Sequence, residues 1–204
     1  AEAAQLVVVN HHLYFGDLAA RAAGGKALPD HDVSIFDEAH AVPDVATLFF
    51  GKTVSSGRVA RWCQDAMRSD AAGRASARLA IGGAQAAAER FFRRARPFDG
   101  RVQWQPGAHP EQVDRLYRAL DRALEAAVGI LQAQAGEGPS LARLVQRGTA
   151  IRQDLSIFFE AGAAEDQVFY RESRGRGAAL SRMPVEPASS LQEALYASGR
   201  AVVF

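Results

Sequence analysis

The sequence has one cysteine, two lysines and no long apolar run. The lone Cys63 excludes an internal disulfide, and by itself it cannot hold a zinc ion or an iron–sulfur cluster, each of which needs about four protein ligands. A buried packing thiol is its expected role. No stretch approaches the roughly 20 apolar residues of a membrane-spanning helix, and residues 1–25 lack the basic, apolar, small-residue order of a secretory signal. A soluble, cytoplasmic protein is therefore expected. Charge of one sign is also missing: 24 Lys and Arg face 23 Asp and Glu, so any nucleic-acid surface must be local. What the chain does have is length and apolar content. At 204 residues and 48% hydrophobic it can bury a core, which argues against general disorder.

Short β-branched runs stand at both ends. Leu6 to Val9, Val33 to Phe36 and Ala201 to Phe204 suit buried parallel strands. Between the first two, Asn10 to Ala23 carries helical spacing and is stopped by Gly24-Gly25, so a βαβ unit is expected at the start. From about residue 55 the pattern becomes helical. Val59, Trp62 and Met67 mark one helix, and Ala71 to Phe92 another, interrupted or kinked near Gly82-Gly83. Val113, Leu116, Tyr117, Leu120, Leu124, Val128 and Leu131 recur at three- and four-residue spacing behind Pro110, the clearest helix in the chain. Leu141, Leu144, Val145, Ile151, Leu155, Phe158 and Phe159 form the next stripe.

Val168 to Tyr170, Arg174 to Gly177 and Ala179 to Met183 then read as a hairpin. A short helix opened by Ser190 and Glu193 as a capping box, and closed by Gly199, leads to the last strand. The chain is expected to leave an α/β sheet, make a helical excursion and return. The apolar run ending at Phe204 reads as a cut through a strand, with chain continuing on both sides.

The segment Val33-Ser34-Ile35-Phe36-Asp37-Glu38-Ala39-His40 places two carboxylates at the carboxyl end of a buried strand, where open α/β sheets bind ligands. In a nucleotide-hydrolysing motor the first acid holds Mg²⁺ through water, and the second orients or deprotonates the attacking water. Asp37 and Glu38 suit those roles, and His40 could relay the state of the γ-phosphate. The four strand residues directly before the acids, three of them apolar, distinguish this pattern from a solvated helix start.

With Leu6 to Val9 leading into Asn10-His11-His12, and Val42 following the Asp-Glu-Ala-His string, the chain resembles the DinG and XPD branch of superfamily two helicases. Phe169-Tyr170-Arg171-Glu172, Gly175-Arg176-Gly177, Met183-Pro184-Val185 and Ala201 to Phe204 are similar to the approach to that family's Ser-Ala-Thr motif. The resemblance implies a partial RecA-like (P-loop NTPase) parallel sheet with a large all-helical arch inserted. Residues 1–50 and 163–204 would belong to the first motor domain, and 51–162 to the arch. It also implies ATP and Mg²⁺ as cofactors, 5′ to 3′ movement on single-stranded DNA, a repair or replication partner, and a 4Fe–4S cluster outside this chain. Relative to that family, the phosphate loop and the second motor domain are missing, so the fragment alone is expected neither to hydrolyse ATP nor to unwind DNA.

Weaker signals remain. Asn10 and His11 could lie near the DNA path or simply start a loop. Arg93, Arg94 and Arg96, with Arg90 and Phe91, Phe92 and Phe98, combine cation and aromatic as single-strand grooves do, but better suit a solvated helix end with its aromatics in the core. Arg174 and Arg176, with Arg171, have the same two readings, and phosphate contact there would be salt-sensitive. Two other functions stay open: a nuclease or other ATPase sharing the DEAH strand, and a helical module that binds a protein partner.

Overall fold

In the computed structural model, residues 4–22, 25–98, 100–134, 138–159, 166–186, 188–196 and 199–204 are described. The chain forms two compact units, one from residues 1–52 and 183–204 and the other from 53–182.

The first unit is a small α/β body. Helix α1 (His11–Ala22) is capped by Asn10, whose Oδ1 accepts the Leu13 amide at 2.8 Å. Strand β1 (Val33–Ile35) pairs in parallel with β6 (Ala201–Val203), Ser34 opposite Val202, although more than 160 residues separate them. Helices α2 (Val42–Phe50) and α7 (Ala188–Tyr196) complete the unit. Its core is built from Tyr14, Phe15, Phe36, Val42, Val45, Ala46 and Leu195. The Tyr14 hydroxyl meets Ser34 Oγ at 2.9 Å, so the polar atom that β1 turns inward is satisfied. Asp17, also buried, accepts from Arg21 and from the amides of Ala27 and Leu28 at 2.6 and 2.8 Å, which fixes the connection between α1 and β1.

Three expectations are corrected. Leu6 to Val9 forms no strand, and Leu6 and Val8 are 78% and 86% exposed. A strand exists through its ladder, and among the described residues the sheet of this unit contains β1 and β6 alone. Helix α7 starts two residues before Ser190, so that serine does not open it. The third correction concerns the long helix of the second unit.

Among the described residues, that unit contains four main helices and a four-stranded sheet. The helices are α3 (Ser56–Arg68), α4 (Ala75–Ala95), α5 (Glu111–Gln132) and α6 (Pro139–Ser156). The strands β2 (Lys52–Ser55), β3 (Arg101–Gln103), β4 (Gln167–Arg174) and β5 (Gly177–Pro184) lie in the order β2-β5-β4-β3. Helix α4 runs unbroken through Gly82-Gly83, where an interruption or a kink was expected; packing against α3 and α5 outweighs a glycine cost of about 1 kcal/mol per residue, so the helix is not interrupted. The hairpin β4–β5 turns at Gly175-Arg176, and β3 pairs antiparallel with β4, Val102 opposite Arg171. Trp62, Phe91, Leu120, Leu124, Leu131, Ile151, Leu155, Phe158 and Leu180 are fully buried in one continuous core.

Gly148 explains how α6 comes so near its neighbours. A Cβ there would lie 2.6 Å from Val128 Cγ2 and 2.7 Å from the Trp62 ring. The approach lets the Trp62 indole donate to the Leu144 carbonyl at 2.9 Å, joining α3 to α6. Among the described residues, no helix is long and apolar enough to cross a membrane.

Candidate functional site

Phe36 continues β1 by one residue: its amide donates to the Val203 carbonyl at 2.8 Å and its ring is buried. The chain then turns sharply. Glu38 takes a left-handed conformation (φ 51°, ψ 49°), unusual for a residue with a side chain, and Asp37 Oδ1 accepts the Glu38 amide at 3.0 Å. A short 3₁₀ turn (Ala39–Ala41) leads into α2, whose second residue is Pro43. The strand end, turn and helix start therefore present Asp37 and Glu38 to solvent at the carboxyl end of β1. His40 Nδ1 lies 3.2 Å from Glu38 Oε2, and both side chains are largely exposed.

Asn10 and His11 stand at the same corner. The His11 ring is 5.8 Å from the Phe36 ring, centre to centre, and Phe36 stacks on Phe204 at 5.6 Å. Asn10 has a structural task as the cap of α1. The structure thus links His11 to Phe36 at the end of β1, and Asp37, Glu38 and His40 to one another in the turn that follows.

The remaining predicted positions lie in the second unit. Arg93 and Arg94 are exposed on the last turn of α4, where Arg94 donates to Gln112 at 2.9 Å. Arg96 reaches the β4–β5 turn, donating to the Gly175 and Arg176 carbonyls at 3.0 and 3.4 Å. Arg171 donates to the Ala95 carbonyl at 3.1 Å. Arg174 closes β4 and Arg176 is exposed in the turn. These contacts bring the end of α4 to the hairpin tip. Of the nearby aromatics, Phe91 and Phe92 are buried, and Phe98 is fully exposed.

The only described Gly-Lys-Thr string, Gly51-Lys52-Thr53, leaves the carboxyl end of α2 and enters β2. A phosphate loop instead precedes a helix whose N-terminal amides face the phosphates, and position 46, where its first glycine would stand, is Ala46. Among the described residues, no group of three or more His, Cys, Asp or Glu gathers to hold a metal. Asp37 and Glu38 nonetheless suit Mg²⁺, which keeps several waters and binds through one or two carboxylates plus substrate phosphates.

No protein-family model matches the chain. It is 30% identical to the ATP-dependent DNA helicase YoaA of Escherichia coli (strain K12) over 204 aligned positions, covering 93% of this chain and 30% of that protein. It is 48% identical to YoaA of Haemophilus influenzae over 63 positions, 30% of this chain and 10% of that protein. The chain is homologous to YoaA. An alignment this extensive takes in residues of both units. The chain spans less than a third of the length of the Escherichia coli relative.

Proposed function

We propose that this chain is a part of an ATP-dependent DNA helicase of the DinG and XPD kind, contributing the Walker B (DEAH) corner of the first motor domain and a helical arch. The observation that carries the reading is the pair of exposed carboxylates, Asp37 and Glu38, just past the carboxyl end of a strand paired in parallel, in a chain homologous to YoaA. Bound there, Mg²⁺ would neutralise charge on the phosphates of ATP. Asp37 would hold its water shell and Glu38 would orient or deprotonate the attacking water.

His40, within reach of Glu38, would couple this corner to the DNA-binding motifs. Residues 51–162 would form the arch, with 1–50 and 163–204 in the motor domain. Asn10, His11, Arg93, Arg94, Arg96, Arg174 and Arg176 would meet single-stranded DNA. The exposed apolar face of the β1–β6 pair, with Val33 and Ile35 open to solvent, supports the reading, because parallel sheets are covered on both faces in their complete setting. A 4Fe–4S cluster would be held by residues outside this chain, as would the phosphate loop, so the chain alone would not turn over ATP. A partner protein in repair or replication would act on the whole helicase.

The test is ATP hydrolysis by the whole helicase carrying this sequence, with and without single-stranded DNA, beside Asp37→Asn and Glu38→Gln. Hydrolysis stimulated by DNA and reduced at least about a hundredfold by either change is expected, from the loss of about 3 kcal/mol of transition-state stabilisation. Hydrolysis indifferent to both carboxylates would overturn the assignment.

A further inference from the structure

The second unit has a cavity of about 350 Å³ between α3 and α6. Asp65, Arg68 and Ser69 line it from the last turns of α3, and Ser140, Arg143, Leu144 and Arg147 from the first turns of α6. The spacing on each helix is three or four residues, so each set forms one stripe facing the other. The floor is firmly held, because Leu144 is the residue whose carbonyl accepts the Trp62 indole.

Charge in the cavity is unbalanced: three guanidiniums face a single carboxylate. Arg147 pairs with Asp65 at 2.8 Å. Among the described residues, Arg68 and Arg143 make no hydrogen bond or ion pair. Two unpaired guanidiniums opening on one cavity repel each other, and a doubly charged tetrahedral anion relieves that repulsion while accepting forked hydrogen bonds from both. The positive end of α6, where Ser140 lies, adds to the same field.

We propose that this groove is a phosphate-binding site in which Arg68 and Arg143 hold the oxyanion and Arg147, braced by Asp65, closes one side. The phosphate would be a backbone group of single-stranded DNA, a source that rests on the helicase reading. Free inorganic phosphate shares the same chemistry and does not depend on it. The site adds a contact that the arginines of the α4 end and the hairpin do not include.

The test titrates this chain, with its arginine Nε groups labelled for NMR, with a fluorescein-tagged twelve-residue oligothymidylate and separately with inorganic phosphate. Signals lost in Arg68→Gln and Arg143→Gln identify the pocket. Their displacement by the oligonucleotide at lower concentration than by phosphate is the expected result. Displacement by phosphate alone would keep the site and remove DNA as its source. Displacement by neither would overturn the proposal.

Fluorescence anisotropy over a salt series gives a second readout. The Arg68→Gln/Arg143→Gln double variant should show a log–log salt slope shallower by about 1.4, two contacts at about 0.7 each on a single strand. Arg122→Gln, an exposed arginine of α5, should leave the slope unchanged. Equal effects of the double variant and Arg122→Gln would refute a defined pocket. None of these readouts uses ATP hydrolysis, so failure here is distinct from failure of the Walker B reading.

Discussion

Two glycine-to-alanine changes, both inside helices, should shift stability in opposite directions. At Gly148 the added methyl would sit 2.6 Å from Val128 Cγ2 and 2.7 and 2.9 Å from two atoms of the Trp62 ring, against an ordinary carbon–carbon contact of about 3.5–4.0 Å. Neither neighbour is a flexible chain end, since Trp62 is fully buried and bonded to Leu144. Overpacking of this kind costs about 1–3 kcal/mol, and a displaced indole would lose a hydrogen bond of about 1 kcal/mol. Against this, alanine gains about 1 kcal/mol over glycine in helix propensity, leaving a net loss of about 1–3 kcal/mol. At Gly83, exposed on α4, a Cβ meets nothing within 4 Å, so Gly83→Ala should gain about 0.5–1 kcal/mol.

Urea unfolding followed by tryptophan fluorescence suits the comparison, because the two tryptophans, Trp62 and Trp104, both lie in the second unit. With a urea dependence of about 2 kcal/mol per molar, Gly148→Ala should lower the midpoint by about 1 M and Gly83→Ala raise it slightly. Adding Trp62→Phe should recover part of the Gly148→Ala loss, since it deletes ring atoms that the methyl would strike. If Gly148→Ala stabilises as much as Gly83→Ala, the close approach of α6 to α3 is wrong.

Three further outcomes follow from single groups. Burial pushes the Asp17 carboxyl up, but hydrogen bonds from Arg21, Leu28 and Ala27 outweigh it and hold the group below the usual 3.8. Its folded pKa is thus depressed, so its stabilisation is full well above pH 3.8 and is lost as pH falls below that value; Asp17→Asn should flatten this acid limb in a pH series of unfolding midpoints. Burial raises the Cys63 thiol to about 11, so iodoacetamide at pH 8 should leave it unmodified in the folded chain and alkylate it in urea, as mass spectrometry would show; rapid labelling of the folded form would contradict its burial. Ser55 caps α3 by accepting the Arg58 amide at 3.1 Å, and Ser55→Ala should cost about 1 kcal/mol in the same urea assay, with no change in midpoint counting against the cap.

Where apolar periodicity was long and unbroken, the sequence alone placed the elements well. The stripe from Val113 to Leu131 became α5, and the run ending at Phe204 became a strand alongside β1. Leu6 to Val9 misled because β-branched composition describes what a strand accepts but does not supply its partner. Gly82-Gly83 misled because helix propensity is a small local term that packing overrides. The carbonyls of Leu144 and Phe158 that accept the indole protons of Trp62 and Trp104 were not legible in the sequence.

The acidic pair Asp37-Glu38 was visible from a short strand-like run, Val33 to Phe36, followed by two acids, a local pattern that needs no tertiary information. The left-handed turn at Glu38 and the approach of His11 to Phe36 were not, since they depend on how β1, α1 and α2 pack together. The groove lined by Arg68, Arg143 and Arg147 was hidden for the same reason: Arg143 and Arg147 share a helix face in the sequence, but Arg68 is 75 residues earlier. Local spacing determined which residues form each face. Only tertiary structure decided which faces meet, because burial and hydrogen bonding reward contacts between segments far apart in the chain.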